Sequence, residues 1–427
     1  MSDDTAAPNQ GLRPRRLVLC LDGTWNNAEQ TKDKSKQVTG HEIYLPTNVL
    51  KLYRAVCPVA ADGMSQISYY SEGVGSLVGD RTRIGKMEVL VDRALGGALG
   101  GGFENRIKSA YRFLVGNYRP GDCIYIFGFS RGAAEAQGLV RFIDWMGGIL
   151  SKNDEYWLVE LFQGFRDSLA APGRAQALRK EFCTRPRSHI ADPQSAEIEF
   201  LGVFDTVLSL GYRFLADFRE RDVPTVGPAY GFYVSRTPPA IVKRIRHALA
   251  IDETRWDFRP QVWRAPDQAS QSLVQLWFPG VHSNIGGGYG NDRFADVALG
   301  WMVGEAKAAG LEVEKGFLDH FHSADGVHKD EDVGVTRIYE RLRRKSGRGV
   351  RQLDAGPSAG IGLHDSAAER LVDEQTYRPA NLLEYLAQDP LRIDQLPAAQ
   401  RHQVRDIVAQ YQGVTPAATT ASPPGPS

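Results

Sequence analysis

The residues whose types and spacing could do chemistry centre on Gly128-Phe129-Ser130-Arg131-Gly132. The run before it, Asp122-Cys123-Ile124-Tyr125-Ile126-Phe127, is β-branched and aromatic, and the run from Gly132 to Phe142 is built on small residues. Strand, Gly-x-Ser-x-Gly, helix is the setting of a nucleophile elbow, a turn too tight for side chains on its flanks that lifts the serine oxygen off the end of a sheet. The chemistry it suggests is acyl transfer by an activated hydroxyl. A glycine-rich turn with an incidental serine is the plainer alternative, and the strand and helix on either side weigh against it.

Such a serine needs a base to take its proton and an acid to orient that base. Among the histidines that follow, His282 has the best surroundings. It comes after the apolar run Ser272–Phe278 and the stop Pro279-Gly280, and before Ser283-Asn284-Ile285-Gly286-Gly287-Gly288-Tyr289, a loop free of bulk that lets an imidazole reach over the elbow. His247 lies inside the strand-like run Arg244–Ile251, with its side chain expected on the sheet surface, while His320, His322 and His328 sit in a polar segment that matches no metal-ligand spacing. Two aspartates compete as the acid. Asp205 ends the apolar run Glu199–Phe204, and Asp252 ends Arg244–Ile251 in the same way. Both positions suit the Ser, acid, His chain order of elbow hydrolases, and both suit a turn or cap aspartate; the residues alone leave the choice open.

Acyl transfer also requires donors for the developing oxyanion. One is expected from the backbone amide of Arg131, which opens a helix whose dipole favours negative charge. The second is expected from the turn after the first strand, Leu17–Leu21, where Gly23 and Thr24 would present bare amides.

Positioning these groups takes a set of strands that all end on the same side. Strands are expected near 17–21, 66–71, 122–127, 198–204, 244–251 and 273–278, alternating with helices near 46–56, 103–117, 131–149 and 294–309. That alternation predicts an α/β fold with a mostly parallel sheet covered on both faces. Residues 1–15 and the Pro/Ala/Thr/Ser-rich tail 415–427 read as disordered. A main domain is expected over 16–310, with insertions at 76–102, 151–195 and 212–240, the latter two flanking the Asp205 strand as a cap. A small helical subdomain with a polar loop near 344–366 would occupy 311–414.

Composition bounds the function. The chain has 427 residues, is 42% hydrophobic, and balances 51 basic against 51 acidic residues, so bulk charge gives no support for nucleic-acid binding. Its four cysteines have no Cys-x-x-Cys spacing and are expected as buried free thiols in a reducing compartment. No stretch reaches the length of a membrane span, and the acidic, polar first ten residues lack the apolar core of a secretory signal. Leu21-Asp22-Gly23-Thr24 hints at an aspartate-nucleophile phosphatase, but Cys20 stands where its nucleophilic carboxylate belongs. The chemistry implied calls for no cofactor, and no metal-ligand set is evident.

Five motifs then occur together in order: Leu21-Asp22-Gly23-Thr24-Trp25-Asn26-Asn27, Tyr70-Ser71-Glu72-Gly73-Val74-Gly75, Gly128-Phe129-Ser130-Arg131-Gly132-Ala133, Val203-Phe204-Asp205-Thr206-Val207, and the run from Trp277 to Tyr289. From about Arg16 to about Gly310 the chain resembles an α/β-hydrolase domain family that includes the first group of type VI secretion lipase effectors. The resemblance implies an α/β-hydrolase fold and carries the family's nucleophile to Ser130, its acid to Asp205 and its base to His282. It implies ester hydrolysis with a phospholipid as the leading substrate, which leaves peripheral contact with a membrane surface and type VI export open; the lack of a secretory signal is what puts synthesis in the cytoplasm. Hydrolysis of a soluble acyl or carbohydrate ester, and a catalytically silent hydrolase-fold interaction module, are the alternatives. Oligomeric state is not legible.

Overall fold

The computed structural model describes residues 13–23, 46–73, 98–168, 171–184, 190–191, 196–207, 233–234, 237–254, 258–288, 293–319, 350–353 and 360–414. Much of the expected insertions 76–102 and 212–240, both terminal tails and the polar histidine segment lie outside these residues.

Alternation explains the sheet. In β1 (Arg16–Leu21) every residue is buried, yet Leu17, Leu19 and Leu21 enter one core while Val18 and Cys20 enter another. The same division holds in β3 (Cys123–Phe129), with Ile124 and Ile126 on one side and Tyr125, Phe127 and Phe129 on the other. A strand apolar on both faces belongs in the middle of a parallel sheet with helices above and below. With β2 (Gln66–Ser71), the two-residue β4 (Ile149–Leu150) and β5 (Ile190–Ala191), β6 (Ile198–Phe204), β7 (Val242–Ala250), β8 (Ser272–Phe278) and β9 (Ile361–Leu363), the described strands form a seven-stranded sheet in the order β2-β1-β3-β6-β7-β8-β9, while β4 and β5 pair apart from it. Each pairing within the large sheet is parallel. The strand bounds lie within two residues of those expected.

One core is covered by α2 (Ala98–Asn117) and α3 (Arg131–Met146), the other by α1 (Asn48–Ala55) and α7 (Arg293–Ala308). On the second face the buried Lys51 ammonium pairs with Asp296 at 2.9 Å, tying α1 to α7. The segment expected as a cap over 151–195 carries a 3₁₀ turn (Lys152–Trp157), α4 (Leu158–Asp167) and α5 (Pro172–Thr184). Its Phe162 and Phe165 pack on Phe142 of α3, with ring centroids 5.0 and 5.3 Å away, so it shares the core of that helix.

The region past 311 differs most from expectation. Within the stretch read as a polar loop, Ile361–Leu363 is the seventh strand, paired with β8. Lys315–Asp319 forms α8 before it, and after it come α9 (Asp365–Asp373), α10 (Ala380–Gln388), α11 (Leu391–Asp394) and α12 (Arg401–Val414). Leu371, Leu382, Leu383 and Val404 from these helices bury Leu249, Ile251 and Trp277. Three small apolar residues in β9 were too short a run to read as a strand. The four cysteines are free as expected, but only Cys20 is buried and Cys183 is exposed.

The order of strands has a functional consequence. From β1 the chain steps outward to β2, then returns to the other side of β1 as β3 and continues outward through β6, β7 and β8. The carboxyl ends of β1 and β3 therefore face the switch point, where α/β sheets open a crevice. Close packing there depends on Gly132: a Cβ on it would lie 2.1 Å from the Leu21 carbonyl oxygen and 2.6 Å from that of Asp22. Both obstacles are backbone, so Gly132→Ala is expected to destabilise the protein by at least about 3 kcal/mol, read from the midpoint of chemical unfolding.

Candidate active site

Ser130 joins β3 to α3 with φ 57° and ψ −122°, and Asp205, just past β6, has φ 40°. Among the described residues these are the non-glycine positions with positive φ. Backbone strain of this kind costs of order 1–3 kcal/mol per residue and persists where surrounding contacts impose it. At Ser130 the imposing contacts are plain. A Cβ on Gly128 would stand 2.6 Å from the Ala133 Cα and the Gly132 carbonyl oxygen, so the turn closes only with glycine.

The two strained residues are stitched together. The Ser130 amide donates to the Phe204 carbonyl at 3.0 Å, and the Val207 amide approaches the Ser130 carbonyl at 3.5 Å. The Asp205 amide donates to Ala248 at 2.8 Å. His247, expected on the sheet surface, is fully buried under Trp263, and its Nε2 accepts from the Thr206 amide at 3.2 Å. Burial brings its pKa down to about 4, which keeps it a neutral acceptor for that backbone.

His282 opens the short helix α6 (His282–Gly286) and is 4% exposed. Its Nδ1 lies 2.7 Å from Asp205 Oδ2, its backbone amide donates to Glu253 Oε2 at 3.2 Å, and its ring packs against Phe129 and Phe258, each with centroids 4.8 Å away. Asp205 also accepts from the Ala250 amide at 3.1 Å and from both Arg351 terminal nitrogens, Nη1 to Oδ1 at 2.7 Å and Nη2 to Oδ2 at 2.9 Å. Burial alone would raise this carboxyl. The Arg351 charge, with hydrogen bonds from His282 and Arg351, outweighs burial and holds it well below the usual carboxylate range.

Asp252 faces different groups. Asp252 Oδ2 accepts from the Gly280 amide at 2.6 Å, and the carboxylate also receives the Tyr377 hydroxyl at 3.0 and 3.1 Å and meets Arg370 at 3.5 Å. It fixes the turn that precedes His282, while Asp205 meets the imidazole.

At the end of β1 the expectation needs correcting. The Gly23 amide is not bare: it donates to Asp22 Oδ1 at 2.7 Å. Asp22 is fully buried, and Thr47 and Tyr70 hydroxyls donate to its Oδ2 at 2.6 and 2.7 Å. Burial pushes its carboxyl up, and these donors with the Arg106 charge pull it back. Thr24 lies outside the described residues. The Arg131 amide remains at the start of a 16-residue helix, where amides lack intrahelical acceptors.

Two further groups escaped the sequence reading. Arg351 is 146 positions from Asp205, in the stretch read as a polar loop, and no local pattern marks it. Glu135, on the buried face of α3, has no hydrogen bond to either carboxyl oxygen among the described residues, with Arg106 Nη2 at 3.2 Å from Oε2. Among the described residues no group of three or more His, Cys, Asp or Glu is placed to hold a metal ion.

A parallel sheet with helices on both faces, a strained serine between β3 and its helix, and an Asp–His pair at the carboxyl ends of β6 and β8 define an α/β fold of hydrolase type. Residues 15–305, over half of the chain, match the family profile described as T6SS, phospholipase effector Tle1-like, catalytic domain. The chain belongs to that family. It is 31% identical over 257 residues to the uncharacterized protein YEL023C of Saccharomyces cerevisiae, a match covering 57% of this chain and 32% of the relative. The chain thus spans about a third of the length of that curated relative. Among solved structures, an uncharacterized protein from Pseudomonas aeruginosa is 18% identical with a TM-score of 0.39, over 96% of this chain and 61% of the other. The Tle1 effector bound to the VgrG spike of the type 6 secretion system is 22% identical with a TM-score of 0.32, over 65% and 51% of the two chains.

The buried Glu135 yields a stability prediction. Burial raises its pKa from the ordinary 4.5 to about 7, against the opposing charges of Arg106 and Arg131. A raised carboxyl means that the folded state prefers the protonated form. Stability is therefore full below the unfolded pKa and declines as pH rises through about 7. Glu135→Gln is expected to remove that decline, worth up to roughly 3 kcal/mol, read by comparing unfolding midpoints of both proteins near pH 4.5 and just above pH 7.

Proposed function

We propose that the chain is a serine hydrolase of carboxylic esters, with Ser130 as nucleophile, His282 as general base and acid, and Asp205 as the acid that orients the imidazole. The observation that carries this reading is the 2.7 Å contact between His282 Nδ1 and Asp205 Oδ2, beside a serine held in a strained elbow. With Nδ1–H given to Asp205, the imidazole takes the serine proton on Nε2. The serine oxygen adds to the ester carbonyl, and the tetrahedral oxyanion receives the Arg131 amide and a donor from the loop after Gly23, where Thr24 stands. The alcohol departs with the proton from His282. Water then gives its proton to the same nitrogen, adds to the acyl-enzyme and releases the carboxylic acid and the free serine. No redox partner or cofactor enters this balance.

The substrate is proposed to be a phospholipid, reached by peripheral contact with a bilayer. Membership of a phospholipase effector family supports this choice and supports type VI export of the protein. Among the described residues no helix is long and apolar enough to cross a membrane.

Fluorophosphonate labelling read by intact mass tests the nucleophile: one adduct is expected on the wild type and none on Ser130→Ala. Turnover of phospholipid vesicles and of short soluble esters is expected to fall at least about 10⁴-fold in Ser130→Ala and in His282→Ala, with little further loss in the double variant because the groups act as a unit. Hydrolysis of the soluble esters without the vesicles would move the substrate class and leave the triad standing.

The acid is tested separately. Asp205→Asn is expected to lose roughly 10³–10⁴-fold in kcat, whereas Asp252→Asn, which perturbs only the turn before His282, should lose less than about tenfold. The reverse ranking would assign the acid to Asp252.

A further inference from the structure

Arg351 lies beyond residue 305, where the family match ends, yet its side chain reaches the acid of the proposed triad. That side chain is 2% exposed and Asp205 is fully buried. Two parallel N–H···O contacts fix the plane of the carboxylate, a geometry that a guanidinium fork provides and an ammonium does not. The fork is itself anchored: Nη1 donates to the Ala250 carbonyl at 2.7 Å and Nη2 to the Phe258 carbonyl. Phe258 in turn packs edge-on against the His282 ring, so one arginine touches the acid, the end of β7 and the segment that walls the base.

We propose that Arg351 is a positioning residue for ester hydrolysis, holding the Asp205 carboxylate in the plane that presents Oδ2 to His282 Nδ1 and offsetting the negative charge that the imidazole meets. The inference rests on the triad reading given above. Its electrostatic part follows from the groups around the imidazole among the described residues. The charged ones are Asp205 at the end of β6, Glu253 just after β7, which accepts from the His282 amide, and Arg351. His247 on β7 is neutral through burial, and Phe129 and Phe258 contribute apolar rings. Opposite a lone buried carboxylate, an imidazole binds its proton tightly and is spent as a base at mildly acidic pH. Arg351, ion-paired to Asp205, offsets part of that pull.

The test compares wild type, Arg351→Gln, Arg351→Lys and Ser130→Ala on a short p-nitrophenyl ester across the pH range in which each is folded. In Arg351→Gln the midpoint of the acid limb of kcat/KM is expected to rise by about one pH unit. On the alkaline plateau kcat is expected to fall about tenfold or more with KM unchanged. Arg351→Lys keeps the charge and loses the fork, so it should restore the midpoint while leaving the plateau low. NMR of ¹⁵N-histidine protein reads the His282 titration midpoint in the same variants without turnover. Should Arg351→Gln fail to fold, a low plateau with a normal midpoint in Arg351→Lys supports the proposal, and wild-type behaviour in that variant overturns it. Folded variants that keep both midpoint and plateau overturn it while Ser130-dependent turnover persists. Loss of Ser130-dependence in the wild type overturns the triad and this inference together, a result distinct from the former.

Discussion

An ionised carboxylate with no exposed surface is the constraint on which the site depends. In the triad proposed above, Asp205 stays charged to hold His282 in one tautomer, and burial opposes that charge strongly. Four donors answer it: the Ala250 amide, both ends of the Arg351 fork and His282 Nδ1. They come from three parts of the chain, so the carboxylate at the end of β6 also acts as a clamp on β7, the start of α6 and the C-terminal region. The late helices are part of that clamp. Asn381 of α10 donates to the carbonyls of Ile251 and Arg351, and its neighbours Leu382 and Leu383 are buried against β7 and β8. Removing the C-terminal layer would therefore unseat the arginine and expose the wall behind the base.

Ser130 and Asp205, the proposed nucleophile and acid, are tied together through backbone. The Ser130 amide bonds to Phe204, one residue before Asp205, and the carbonyl of Ser130 meets the Val207 amide just beyond it. Both strained torsions thus belong to a single knot at the ends of β3 and β6. On the other side of Ser130, Gly132 lets α3 press on the Leu21 and Asp22 carbonyls. Arg106 donates to that same Asp22 carbonyl and to Ser71, which anchors the ends of β1 and β2. The geometry near the serine is thus fixed by the ends of β1, β3 and β6.

How much of this was legible in the sequence follows from the range of each interaction. Alternation within β1 and β3 is local, and the elbow is local, so the parallel sheet and Ser130 could be read from a few neighbouring residues. His282 could be read because a strand end and a glycine loop frame it. Asp205 and Asp252 could not be separated, because each ends a strand and the difference lies in what faces them across the sheet: an imidazole for one, a tyrosine hydroxyl and a turn amide for the other. Arg351 left no sequence signal, since its partner is 146 positions away and its neighbours Val350 and Gln352 form no recognisable motif with it. The Gly23 amide was misread for a related reason. A bare glycine suggests an open donor, but the fully buried Asp22 beside it captures the N–H first.

The arginine fork on the acid reflects a compromise between geometry and field. A carboxylate left alone would stabilise the imidazolium of the transition state more strongly, but it would also protonate the resting histidine and could rotate about its own χ angles. Pairing it with a guanidinium weakens the field and fixes the plane. For a base that must be neutral before each turnover, orientation and readiness both gain from the pairing, while the lost field can be recovered at the oxyanion, where the Arg131 amide and the dipole of a 16-residue helix act on the charge that forms. On this reading the acid and base are arranged for precision of proton transfer, and the stabilisation of charge is delegated to the switch point between β1 and β3.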